Sequence, residues 1–193
     1  MRYPEYVKVN DKLYKINTDF RYAIECNRIA QDNNIGDLER ALAVIYTLFG
    51  DEGINSTKDY EKLLEQAKKY LLCGAEAVED EKEKPDMDYI EDMDYIEASF
   101  MSDYHIDLEN TKMHWWKFHK LINGLSNSEM GNCCVLNRVR NLRNFDLKDI
   151  KDSKERDKIR KAQQQVALKR DRKVATKEQE ESATELLKEL GLI

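Results

Sequence analysis

Three histidines, four cysteines and a dense set of carboxylates are the residues of this sequence whose types could do chemistry. His114 and His119 stand five apart, which on a helix sets them about 140° apart. That is the wrong spacing for ligating one metal ion, and His105 is isolated in sequence. Cys26, Cys73, Cys133 and Cys134 lack Cys-x-x-Cys spacing, the last two being adjacent. They read as reduced, mostly buried thiols of a cytoplasmic protein. Acidic pairs abound, but in segments that look solvated, where carboxylates do no acid–base work. The Asp-rich stretch 86–97 lacks the glycine and the acid spacing of an EF-hand loop. No Gly-x-Ser-x-Gly, P-loop or Gly-x-Gly-x-x-Gly pattern is present. The sequence therefore predicts no catalytic, cofactor-binding or metal-binding residue, and no enzyme.

What remains is the chemistry of contact. Met113 to Leu125 holds both tryptophans, and Trp115, Phe118, Ile122 and Leu125 recur at i, i+3, i+7 and i+10, one face of a helix. Aromatic side chains bury roughly 150–250 Å² each, so this face predicts core. Trp116 looks out from the neighbouring face, which makes Trp116 and Lys117 candidate partner-binding residues. A second candidate set is Leu186, Leu187 and Leu190, on an amphipathic end opened by the capping box Ser182-Ala183-Thr184-Glu185 and continued by Leu192 and Ile193. Such an end either frays as a terminus or docks in a partner groove or on another copy of the protein.

The elements that must position these residues are mostly helices. Of 193 residues, 36% are charged and only 7 are Gly and 2 Pro, too little turn chemistry for a sandwich or barrel. Residues 6–9 and 12–16 predict a hairpin about Asn10-Asp11, with Val7, Val9, Tyr14 and Ile16 on one face that must lie on a helix. Thr18 or Asp19 caps a helix to about Gln31. Asp37 caps the next, with Leu38, Leu42, Ile45 and Phe49 at core spacing and Gly50 as its stop. Ser56 or Thr57 starts a third, which carries Tyr60, Leu63, Leu64, Ala67 and Leu71 and ends at Gly74. Residues from about 76 to 92 read as an acidic mobile linker. It includes the first copy of an exact tandem repeat, Asp86-Met87-Asp88-Tyr89-Ile90-Glu91 followed by Asp92-Met93-Asp94-Tyr95-Ile96-Glu97, two units being too few for a solenoid. Ile96, Phe100 and Tyr104 mark a short helix. Asn110 or Thr111 caps the tryptophan helix, and the capping box Ser126-Asn127-Ser128-Glu129 opens another. The fold class is mainly α: a helical domain over 1–145 with an N-terminal β-hairpin, and a long charged helical arm over 146–193.

The net charge of −6 hides a polarity. Glu76 to Glu109 carries 14 acids against Lys82 and Lys84, while Lys148 to Lys177 carries 12 bases against 5 acids. The basic run interleaves its charges at i, i+3 and i+4 and has no aromatic residue for base stacking, which argues against nucleic acid as a partner. No apolar run is long enough to cross a membrane, and Met1 to Glu5 opens no signal peptide.

Tyr104-His105-Ile106-Asp107-Leu108, followed by Met113-His114-Trp115-Trp116-Lys117-Phe118, Leu121 and Gly124-Leu125, resembles a family of small proteins from long-tailed phages (siphoviruses) and prophages of Gram-positive bacteria. These are encoded just before the tape measure protein. Ile16-Asn17-Thr18-Asp19-Phe20-Arg21 resembles the start of that family, and the likeness covers roughly residues 1–170. Members are regarded as tail assembly chaperones, which coat the long hydrophobic tape measure chain until tail tube subunits polymerise around it, and which are absent from the finished virion. The resemblance implies the tape measure protein as partner, the tail tube protein as a second, self-association as an alternative, and action in the host bacterial cytoplasm. The family's basic residues after the capping-box helix correspond to Arg138 or Arg140. The doubled hexapeptide and the long arm depart from the pattern. The alternative from another class is a structural tail or head-completion component retained in the virion; a nucleic-acid-binding regulator is a third.

Overall fold

The hairpin forms as its alternation requires. In the computed structural model, which describes residues 3–32, 34–55, 59–75, 85–127 and 133–169, β1 (Tyr6–Val9) pairs antiparallel with β2 (Lys12–Lys15). Val7 faces Tyr14 and Val9 faces Lys12 across the turn, and Val9, Tyr14 and Ile16 are buried. Asn10 takes a left-handed φ of 53°, a region that asparagine tolerates better than most residues. Its side-chain nitrogen donates to Asp59 at 2.7 Å, and the Tyr14 hydroxyl donates to the same carboxylate at 3.0 Å. The hairpin tip is thus pinned to the start of a helix, the cover that a lone hairpin needs.

Packing divides the chain into two units, Met1–Asn141 and Leu142–Ile193. In the first, α1 (Phe20–Gln31) starts at Asp19, whose carboxylate accepts the Arg21 N–H at 3.1 Å. Phe20, Ala23, Cys26 and Ile29 form its buried face. Next comes α2 (Asp37–Ile54), which begins after Gly36 with the Glu39 carboxylate accepting the Gly36 N–H at 3.1 Å. Gly50, at φ 63° and ψ −154°, breaks α2 one turn before its end, as the sequence predicts for a stop. The expected core stripe of α2 is corrected in its first half. Val44, Ile45, Leu48 and Phe49 are buried, but Leu38 and Leu42 are exposed. Helical periodicity defines the stripe but not how far along it a cover extends. Lastly α3 (Tyr60–Leu71) buries Leu63, Ala67 and Tyr70, while the expected start at Ser56 or Thr57 lies outside the described residues.

The linker expected over about 76–92 is corrected where the structure describes it, from residue 85. Asp88 and Asp92 are buried, and Met87 and Tyr89 pack on the core. The Asp88 carboxylate accepts the N–H groups of Ile90 and Glu91 at 2.8 and 3.0 Å, and the Asp92 carboxylate accepts the Asp88 N–H at 3.0 Å. This self-bonded turn is what an acidic composition conceals. The second repeat copy opens α4 (Met93–Tyr104), so the same hexapeptide is a turn first and a helix second. Ile96 is fully buried, whereas its counterpart Ile90 is exposed. At the end of α4, His105 takes a left-handed φ of 54° and Ile106 N–H reaches back to Phe100 C=O at 3.2 Å, a helix-ending motif.

The tryptophan helix α5 (Trp115–Asn123) has Trp115, Phe118 and Ile122 buried, with Leu125 just beyond, as its spacing predicts. Its cap is His114, not Asn110 or Thr111. Asp107 accepts the N–H groups of Glu109 and Asn110, closing a turn there instead. Phe118 stacks on Phe20 at 4.4 Å, on Phe100 at 5.3 Å and on Trp115 at 5.8 Å, joining α1, α4 and α5. Before the following helix, α6 (Val135–Asn144), Ser126 C=O accepts the Cys134 N–H at 3.0 Å and Asn127 bridges Cys133, while Ser128 and Glu129 of the expected capping box lie outside the described residues.

The second unit is described to Lys169. Here the expected run of helix is interrupted: a 3-10 turn at Leu147–Asp149 is followed by α7 (Ser153–Val166), each started by an aspartate, Asp146 and Asp152, whose carboxylate accepts backbone N–H groups. Gln163 donates to the C=O of Leu142 and of Phe145, and Arg143 donates to Val166 C=O at 2.7 Å, folding α7 back along the unit. The fold is mainly helical with a small N-terminal hairpin.

Candidate interaction surface

The stretches singled out in sequence meet at one junction. Phe20 N–H donates to Met113 C=O at 2.9 Å and Trp115 N–H to Thr18 C=O at 2.8 Å, so the chain before α1 and the chain before α5 run side by side. Arg21 pairs with Asp19 at 3.0 Å and donates to the C=O groups of Leu108 and Glu109 at 2.5 and 2.9 Å. The turn after α4 is thereby clamped to α1. At the N-terminus of α5, His114 Nδ1 accepts the Trp116 N–H at 3.0 Å, while Nε2 lies 2.9 Å from Pro4 C=O. The two contacts together place the ring proton on Nε2. The same ring stacks on Tyr3 at 4.9 Å.

Both indoles serve the end of α3. Trp115 Nε1 donates to Leu71 C=O and Trp116 Nε1 to Tyr70 C=O, each at 2.9 Å. Carbonyls in the last turn of a helix have no partner within it; Trp115 supplies a donor to that of Leu71, and Trp116 adds a second to that of Tyr70, which also accepts the Cys73 N–H at 3.0 Å. Trp116 also stacks on Tyr70 and covers Gly74, where a Cβ would come within 3.2 Å of its ring. Gly74 has φ 82° and donates its N–H to Lys69 C=O. Trp116 is therefore half-buried and engaged in the fold, contrary to the free outward face expected of it, while Lys117 is exposed. Leu186, Leu187 and Leu190 lie outside the described residues.

Burial pushes the Cys26 thiol up to about 12 and that of Cys73 to about 11, so neither is a thiolate near neutrality. Burial also lowers His119, whose ring packs on Trp115. A cleft of about 740 Å³ lies where α4, residues 124–126 and the start of α6 meet, with Asp103, Cys133 and Arg138 in its wall. Burial would raise the Asp103 carboxyl, but the Ser126 N–H at 2.7 Å and the Ser102 hydroxyl at 2.9 Å hold it below its ordinary value. That carboxylate is a fixed acceptor joining two segments. Among the described residues, no three His, Cys, Asp or Glu side chains gather where they could hold a metal ion, and no helix is long and apolar enough to cross a membrane.

Sequence reasoning missed a different feature. Leu38, Leu42 and Tyr46 are 61%, 36% and 56% exposed at i, i+4 and i+8 on α2. Neighbours at this spacing share one face of a helix. Tyr46, which stands outside the expected core stripe, was the available signal that the apolar surface of α2 is wider than one buried face needs.

A protein-family model described as Bacteriophage Gp15 protein matches residues 2–168. No curated protein and no solved structure matches the chain.

Proposed function

The chain belongs to the bacteriophage Gp15 protein family, and we propose that it is a tail assembly chaperone, binding and shielding the tape measure protein during tail morphogenesis. Membership supports a phage structural or morphogenesis protein; within that class, the observation that carries the chaperone reading is the apolar surface left exposed on α2. A chaperone of this kind acts by mass action, masking apolar surface on its client without chemistry of its own. Apolar side chains exposed on a packed helical body, as on α2, support that reading. The tape measure protein is the principal partner and the tail tube protein the second. The site of action is the host cytoplasm, with no place in the mature virion.

Two measurements test this. Affinity-tagged protein isolated from cells producing phage should bring the tape measure protein with it, and quantitative mass spectrometry of purified virions should find it depleted. Stoichiometric copies in the virion overturn the chaperone in favour of a retained structural component.

A further inference from the structure

We propose that the outer face of the β-hairpin, formed by Tyr6, Lys8, Leu13 and Lys15, receives the acidic, leucine-rich segment 182–193 of a second copy of this chain. The inference goes beyond the chaperone reading and does not rest on it. The ladder pairs Tyr6 with Lys15 and Lys8 with Leu13. Residues two apart on a strand share a face, and cross-strand partners stand side by side on it. These four side chains therefore stand together, on the side opposite the buried Val9 and Tyr14. Glu5, whose C=O accepts the N–H of the buried Ile16, falls on that other side by the same alternation. Tyr6 and Leu13 are 52% and 61% exposed and form one diagonal of the face, the two lysines the other. Lys8 lies 3.8 Å from the Asp11 carboxylate, a solvent-exposed pair that holds it weakly. Among the described residues, no carboxylate pairs with Lys15.

Charge and apolar pattern together select the occupant. The same hairpin face of another copy would set lysine against lysine. The segment from Glu178 to Ile193 has the opposite sign, with five acids against Lys188 alone, and Glu185 and Glu189 flank Leu186, Leu187 and Leu190. Leucines can cover Tyr6 and Leu13 while the two glutamates meet Lys8 and Lys15. The exposed stripe of α2 lacks this charge, since the one base of that helix, Arg40, is bonded to Asp37 at 2.8 Å. Described residues end at Lys169, and residues 170–181 can span about 40 Å when extended, enough to reach a neighbouring copy. The family match ends at residue 168, so the segment is a feature of this chain beyond the matched part. Two different patches meet in such a contact, and successive copies join head to tail into a ring or an open row.

The test uses the full chain. Equal parts of light and heavy-isotope-labelled protein are mixed and treated with a carbodiimide, which joins an amine to a carboxylate in direct contact. Mass spectrometry should find Lys8 or Lys15 joined to Glu185 or Glu189 in light–heavy pairs. In fluorescence anisotropy, a fluorescein-labelled peptide of residues 182–193 should bind the full chain. Tyr6→Ser/Leu13→Ser and Lys8→Glu/Lys15→Glu should each weaken that binding by about tenfold or more. The peptide carrying Glu185→Lys/Glu189→Lys should bind the Lys8→Glu/Lys15→Glu variant at least about tenfold tighter than it binds the parent, a rescue that a misfolded variant would not give. Leu38→Ser/Tyr46→Ser on α2 should leave binding of the parent peptide unaltered. Cross-links confined to single copies overturn the second copy as occupant. Absence of any cross-link from Lys8 or Lys15 to the segment, failure of the charge-reversed rescue, or loss of binding in the α2 variant overturns the hairpin as the receiving surface.

Discussion

Deleting one copy of the tandem hexapeptide separates a packed turn from a spacer. Removal of residues 86–91 or of 92–97 yields the same protein, since the copies are identical. The surviving copy is continuous with Ala98 and takes the helical place at the start of α4, where its isoleucine refills the buried position of Ile96. What disappears is the turn. Tyr89 meets Trp115 edge-on at 5.4 Å and Phe118 at 6.3 Å, and a half-buried aromatic ring lost from such a site costs about 2–4 kcal/mol. The Arg140–Asp86 pair at 3.0 Å is partly exposed and adds at most about 1 kcal/mol. Shortening the connection returns about 0.5 kcal/mol or less, because loop-closure entropy varies slowly with length. For a domain of this size the balance lowers the melting temperature by roughly 5–15 °C. Circular dichroism at 222 nm against temperature reads it directly. A transition within about 1 °C of the parent would refute the packed turn and restore the spacer. The companion pair is sharper still: Ile96→Ala should cost about 2–5 kcal/mol and Ile90→Ala about 0.5 kcal/mol or less, although the two residues occupy the same place in the repeat.

Phe118→Ala removes the ring that joins α1, α4 and α5 and should cost about 3–5 kcal/mol in urea unfolding. His114→Ala should cost about 1–2 kcal/mol, with His114→Asn recovering most of it, because asparagine can supply the lost cap acceptor. Acid should destabilise in two stages, followed by melting at stepped pH. A half-buried histidine with a lowered pKa binds fewer protons when folded than when unfolded, so the contribution of His119 is lost as pH falls below about 6.5, and His119→Gln should flatten that stage. The carboxylates of Glu25, Asp32, Asp103 and Asp107 are held below their ordinary values, and their contribution is lost on acidification below about pH 4.

The features legible in the sequence are those in which one face is buried throughout its length. Alternation about Asn10-Asp11 placed Val9, Tyr14 and Ile16 on the buried side of the hairpin, and 3.6-residue spacing placed Trp115, Phe118 and Ile122 inward. Periodicity failed where cover ends partway, as at Leu38 and Leu42. Local capping signals failed where another group competes for the same atoms: Asn110 spends its N–H and its side-chain nitrogen on Asp107, and His114 caps α5 instead. The outward placement of Trp116 failed for a related reason, since the Tyr70 carbonyl that its indole meets lies 46 residues away in sequence. The turn at 86–92 was hidden by composition: four acids surround Met87 and Tyr89, and the hydrogen bonds that bury Asp88 leave no periodic trace.

The residues that carry the family resemblance are also those that hold the junction of α1 and α5. Asp19, Phe20 and Arg21 from one stretch meet Leu108, Met113, His114 and Trp115 from the other, through backbone pairing, an arginine clamp and stacked rings. Their physical work is to fix where α5 sits. The stripe of α2 contributes nothing to that junction, and Leu38, Leu42 and Tyr46 can change at little cost to stability, as exposed residues generally can.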